Sequence, residues 1–164
     1  MKFFGNLLLI ATSSNSILAV SVPDPAENEV DESAKTVTCH PRPKDGTVRV
    51  EHFKVNVAHA KSEARKAGFA PGRSGDPHRY MNRDRLHFGI HNCDKASALL
   101  LEYPIYADGM GGDWKKDIRT SEQDATPIRT VFANSHGGFI WCGVMTHETV
   151  DGDHHGSGHF KLCV

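Results

Sequence analysis

One stretch of helical periodicity, residues 51–67, constrains the fold of this chain more than any other feature. Phe53, Val57, Ala60, Ala64 and Ala67 recur at three- and four-residue steps, while Lys54, Lys61, Glu63, Arg65 and Lys66 decorate the other faces. Gly68 then supplies a C-terminal stop. Downstream the period changes: runs at 86–90, 99–105, 128–132, 139–146 and 159–163 are short, apolar or alternating, and separated by turn residues. A lone helix must bury its apolar face, and those runs offer an antiparallel sheet to bury it against. The expectation is an α+β domain with one sheet face covered by the helix and the other free for a site. His52 and His59 fall in the helical stretch and read as surface residues.

Upstream, residues 36–38 form a short strand, 41–46 are turn-rich, and 47–50 could return as the second arm of a hairpin. Residues 22–35 are acidic and proline-bearing with no apolar period, the pattern of a disordered leader. Residues 1–21 have the order of a signal peptide. Lys2 precedes an apolar core, a polar break follows at 12–16, and Ala19-Val20-Ser21 supplies small residues at cleavage-site spacing. The polar break makes this segment a poor membrane span, and no other stretch is long and apolar enough to be one. The expected product is a secreted, soluble protein whose single domain covers 36–164.

Four cysteines, Cys39, Cys93, Cys142 and Cys163, lie in that domain, and none is paired at C-x-x-C spacing. An even count in a small secreted chain implies two disulfides, with three connectivities open. A Cys39–Cys163 bridge would close the longest loop and restrict the unfolded chain most. The formal charge of −1 becomes −2 when Lys2 is removed with the signal peptide. A near-neutral chain lacks the basic signature of a protein that coats long nucleic acids, although a site gripping one or two phosphates needs only a few cations.

Two loops interrupt the strand series. Residues 106–126 carry Gly109-Met110-Gly111-Gly112 without the Lys-Ser/Thr of a phosphate loop, and read as a flexible surface loop. Residues 150–158 carry Asp151, Asp153, His154 and His155, with His159 just beyond. These types bind metals, but their glycine-rich setting favours a solvated loop.

The residues with chemistry to offer are His78, set behind Pro77, then Glu102, Arg129 and His147, each on a different strand-like run. A carboxylate, an arginine and two histidines suit acid-base chemistry on a phosphate ester, which needs a proton acceptor, a proton donor and a fixed cation.

Pro77-His78-Arg79-Tyr80, Glu102-Tyr103-Pro104-Ile105, Ile128-Arg129-Thr130-Val131-Phe132, Gly143-Val144-Met145-Thr146-His147 and Phe160-Lys161-Leu162-Cys163 resemble, in this order, the signature segments of the fungal guanyl-specific ribonucleases. The resemblance covers residues 36–164. It implies the microbial ribonuclease fold, one α-helix on a curved antiparallel β-sheet whose open face binds single-stranded RNA, and it favours the pairs Cys39–Cys163 and Cys93–Cys142. By the same resemblance Glu102 takes the proton from the ribose 2′-hydroxyl and His147 protonates the departing 5′-oxygen. His78, as imidazolium, and Arg129 stabilise the phosphoryl oxygens, with Phe160 as an apolar wall. The product is a 2′,3′-cyclic phosphate. No metal or cofactor is required, because the attacking hydroxyl is internal to the substrate.

The sequence also departs from the family pattern. Asp76 stands where the family has a tyrosine that contacts the phosphate. A carboxylate there repels substrate phosphate, or else holds His78 protonated. Beyond Tyr80, the base-recognition stretch keeps Asn82 and Asp84 as acceptors for guanine, while Arg83 replaces a stacking tyrosine and can stack through its guanidinium plane. The expected protein is a monomer, and a rival expectation is a secreted ribonuclease-like fungal effector that binds host RNA or protein without cleaving.

Overall fold

The computed structural model describes residues 35–44, 46, 52–135 and 138–164. The expected signal peptide, the expected leader up to residue 34 and the 47–50 hairpin arm lie outside the described residues. Among the described residues eight strands and two α-helices follow in order, with a short 3-10 turn at Thr120–Glu122: β1 (Thr36–Cys39), β2 (Arg42–Pro43), β3 (Phe53–Asn56), α1 (Val57–Ala67), β4 (His78–Arg79), α2 (His91–Asp94), β5 (Leu100–Pro104), β6 (Ile128–Ser135), β7 (Gly138–Val150) and β8 (Gly156–Leu162).

The main helix is shorter than its periodicity suggests. Residues 53–56 form β3, antiparallel to β1, with Phe53 and Val55 buried and Lys54 exposed. An alternating pair and a three-to-four step share Phe53 and Val57, so the helical pattern ran through the strand. Asn56 ends the strand: its backbone is extended, and its side-chain oxygen accepts the His59 N–H at 2.9 Å. At the other end Gly68, at φ +70°, donates to the carbonyls of Ala64 and Arg65.

The main sheet runs β2-β7-β6-β5-β4, with β8 also paired to β7. It is antiparallel except for the two-residue β2, which joins β7 in parallel. Alternate residues divide its core in two. On one face Tyr103, Ile128, Phe132 and Val144 pack with Phe53, Val55, Ala60 and Ala64 from the β3–α1 unit. Val131, Ala133, Leu100, Cys142 and Met145 point to the other face, against Tyr80 and Cys93. The second face is therefore not wholly free, because residues 80–98 cover part of it.

The apolar run at 86–90 explains that cover, and it is not a strand. Its backbone donors are taken by side chains: Leu86 N–H by Asn82 Oδ1 at 2.7 Å, and Phe88 and Ile90 N–H by the Asp94 carboxylate at 2.8 and 3.1 Å. Leu86, Phe88 and Ile90 still bury apolar surface on the second cluster, without a ladder.

Both disulfides, Cys39–Cys163 and Cys93–Cys142, are formed. The first lies beside paired backbone bonds between Thr38 and Val164, at 2.7 and 3.1 Å, which close the domain's ends on each other.

Loop 106–126 is ordered by specific bonds rather than loose on the surface. Trp114 is buried, its carbonyl accepts the Tyr103 hydroxyl at 2.8 Å, and Lys116 Nζ reaches the Ala67 carbonyl at 2.7 Å. The turn at 151–155 is built by Asp151, whose Oδ1 accepts the N–H groups of Asp153 and His155.

Candidate active site

Register brings the four candidate residues together. His78 on β4 stands opposite Glu102 on β5, Glu102 opposite Val131 on β6, and Arg129 lies two residues before Val131 on the same face. Arg129 stands opposite Met145 on β7, and His147, two residues on, faces Phe160 on β8. A carboxylate, a guanidinium and two imidazoles thus share the sheet face left open beside the second core.

Asp76 is buried beneath this row. Its Oδ1 lies 2.9 Å from His78 Nδ1, and His78 Nε2 lies 3.0 Å from Glu102 Oε1. Asp76 first and Glu102 second raise the His78 pKa to about 9, against an opposing contribution from burial. His78 is therefore an imidazolium at neutral pH, with both ring nitrogens donating. Asp76 acts on the imidazole rather than facing open solvent.

Glu102 is 7 % exposed, and its Oε2 has no hydrogen-bond partner among the described residues. A buried carboxylate oxygen without a partner is costly unless a ligand completes it. Arg129 Nη1 donates to the carbonyls of Thr126 and Ile128 at 2.7 and 2.9 Å, which fixes the guanidinium. Burial lowers its pKa and Glu102 raises it, and a guanidinium stays charged regardless.

His147 is tuned the other way from His78. Burial first and the Arg129 charge second lower its pKa below the usual 6.5. Its ring lies 4.1 Å from that of Phe160, and Nδ1 is 3.4 Å from the Gly158 carbonyl. Two histidines on one face thus have pKa values pushed apart, the pattern expected of groups with different duties.

The other expected contact residues are placed less simply. Tyr80 is buried, edge-on to Phe160 at 5.8 Å, with its hydroxyl on Asn82 Oδ1. The Asn82 amide is occupied by the Leu86 backbone in both directions. Asp84 holds β8, accepting from the Phe160 N–H at 3.2 Å and lying 2.6 Å from His159 Nδ1. Of the four residues after Tyr80, Met81 and Arg83 are the exposed ones. Sequence reasoning missed Gly156, which lies against the His147 ring. Only the β7–β8 register reveals it, since one glycine in a glycine-rich turn carries no signal.

A ribonuclease family model matches residues 42–164. Hirsutellin A from Hirsutella thompsonii is 51% identical with a TM-score of 0.69, over 79% of this chain and 98% of its own. The Aspergillus ribotoxin restrictocin is 22% identical with a TM-score of 0.62, over 79% of this chain and 99% of its own. The cytotoxic ribonuclease alpha-sarcin is 23% identical with a TM-score of 0.62, over 80% and 99%. The last two likenesses carry the fold alone. No curated protein matches the chain.

Proposed function

The chain belongs to the ribonuclease family, and from that premise we propose that it is a secreted, metal-independent endoribonuclease that cleaves single-stranded RNA by transesterification. Glu102 removes the proton from the ribose 2′-hydroxyl, whose oxygen attacks the adjacent phosphorus as the bond to the 5′-oxygen breaks. His147 delivers a proton to that leaving oxygen, giving a 2′,3′-cyclic phosphate. The His78 imidazolium and the anchored Arg129 offset charge on the phosphoryl oxygens.

The observation that carries this reading is the unpartnered, buried Oε2 of Glu102, on the same sheet face as Arg129 and His147. In this mechanism the 2′-hydroxyl is the missing partner. Secretion is supported by two disulfides, which persist in oxidising compartments, and by the signal-peptide pattern of residues 1–21. We take the enzyme as a monomeric domain spanning 36–164. Any guanine preference rests on the exposed Arg83, because Asn82 and Asp84, the two acceptors expected for the base, are bonded within the protein.

The test is cleavage, in EDTA, of a short single strand containing each base. Restrictocin has been solved with a 29-mer sarcin/ricin domain RNA analog, so that RNA belongs in the same assay. Cleavage to a cyclic product, largely lost in Glu102→Ala and His147→Ala, is expected, and the cut positions report base preference. A folded wild-type protein that cuts neither RNA would overturn the enzyme reading in favour of a binding effector.

A further inference from the structure

Away from the site, α1 and loop 106–126 bring together three potential ligands. His59 and Glu63 are one turn apart on α1, and Asp113 reaches them from the loop. His59 Nε2 lies 3.1 Å from Glu63 Oε1 and 3.5 Å from Asp113 Oδ1. The three ligand atoms all fall within 4.8 Å of one another, and among the described residues no other His/Cys/Asp/Glu group does so.

The separations suit a metal. Ligands about 2.0–2.2 Å from a tetrahedral zinc ion stand roughly 3.3–3.6 Å apart, close to the two distances here. A second observation is the state of Glu63. It is 3% exposed, and neither carboxylate oxygen has a well-aligned hydrogen bond among the described residues, although His59 Nε2 lies 3.1 Å from Oε1 and Asp113 and the Trp114 backbone stand beside the group. A buried, unbonded carboxylate calls for a cation or a proton. Asp113 spends its second oxygen on Lys66 Nζ at 3.6 Å, which leaves Oδ1 facing His59.

We propose that His59, Glu63 and Asp113 form a binding site for one divalent cation of the zinc class. One imidazole nitrogen and two carboxylate oxygens supply three ligands, and water completes the fourth position. The site lies behind the sheet, on the helix side, so the cation takes no part in RNA cleavage. Its action is to clamp loop 106–126 to α1. That loop carries Trp114, whose carbonyl receives the hydroxyl of Tyr103, the residue after Glu102.

The experiment titrates zinc chloride into the full, metal-depleted protein by calorimetry and follows thermal unfolding with and without zinc. One saturable site and a raised unfolding midpoint are expected. His59→Ala and Asp113→Asn, both at exposed positions, weaken binding by roughly tenfold or more, whereas His52→Ala leaves it unchanged. No saturable binding would show that the cluster is an ion-pair group only. Unchanged affinity in His59→Ala would overturn the proposal, and loss in His52→Ala alone would overturn it by placing zinc on the His40–His52 pair, whose Nδ1 atoms are 2.8 Å apart. Because the readout is binding, its failure is distinct from failure of RNA cleavage.

Discussion

A Cβ added to Gly156 would lie 2.3 Å from His147 Cδ2, so β8 passes the imidazole at a distance that only glycine allows. Gly156→Ala must therefore displace the ring. If His147 is the general acid, a shift of this size lowers kcat by roughly 100-fold, while far-ultraviolet circular dichroism stays native. Unchanged kcat in a folded variant would remove His147 from the reaction.

Asp76→Asn separates two roles for that carboxylate. Should Asp76 hold His78 protonated, the variant's His78 pKa falls from about 9 toward its ordinary value, and activity at neutral pH drops. Should it chiefly repel phosphate, activity rises. Titration of the His78 ring by NMR, alongside kcat/KM, distinguishes the two. The same raised pKa gives the fold stability that is complete below the unfolded value near 6.5 and is lost as pH rises through about 9.

Activity should fall on the alkaline side through a pKa below 6.5. His147 must carry a proton to act as acid, and burial with Arg129 favours its neutral form. The kcat/KM profile of the free enzyme reports this limb directly. Arg129→Gln removes the nearby charge and shifts the limb upward even as it lowers the rate. A wild-type profile flat from pH 5 to pH 8 would contradict the assignment.

The two disulfides should differ in weight. Cys39 and Cys163 are 124 residues apart and Cys93 and Cys142 are 49 apart. Loop-closure entropy makes removal of the first pair costlier by about 1 kcal/mol. Urea unfolding of the two double alanine variants measures this. A costlier loss of the shorter bridge would point to packing around Cys93, which is buried in the second core.

Much of the fold was legible because its signals are local. The 57–67 period, Gly68, and the runs that became β5 to β8 each follow from a few adjacent residues. The errors arose where local patterns compete. Phe53 and Val57 fit a helical step, yet β1 claims residues 53–56 as its partner. Leu86, Phe88 and Ile90 look like strand, yet Asn82 and Asp94 take their backbone donors. Loop 106–126 looked mobile because glycines dominate its start, whereas burial of Trp114 orders it.

By itself the sequence determined which side chains are present, their order and the alternation within each strand, while register brings Glu102, Arg129 and His147 to one sheet face. Tertiary structure alone decided what each of them meets. Asp76 reaches His78, Gly156 makes room for His147, and Asp84 spends its carboxylate on β8 rather than standing open. Protonation and access depend on distances of a few ångströms between residues far apart in the chain. Those distances exist only once strand register, and the burial that strengthens each charge, have been set.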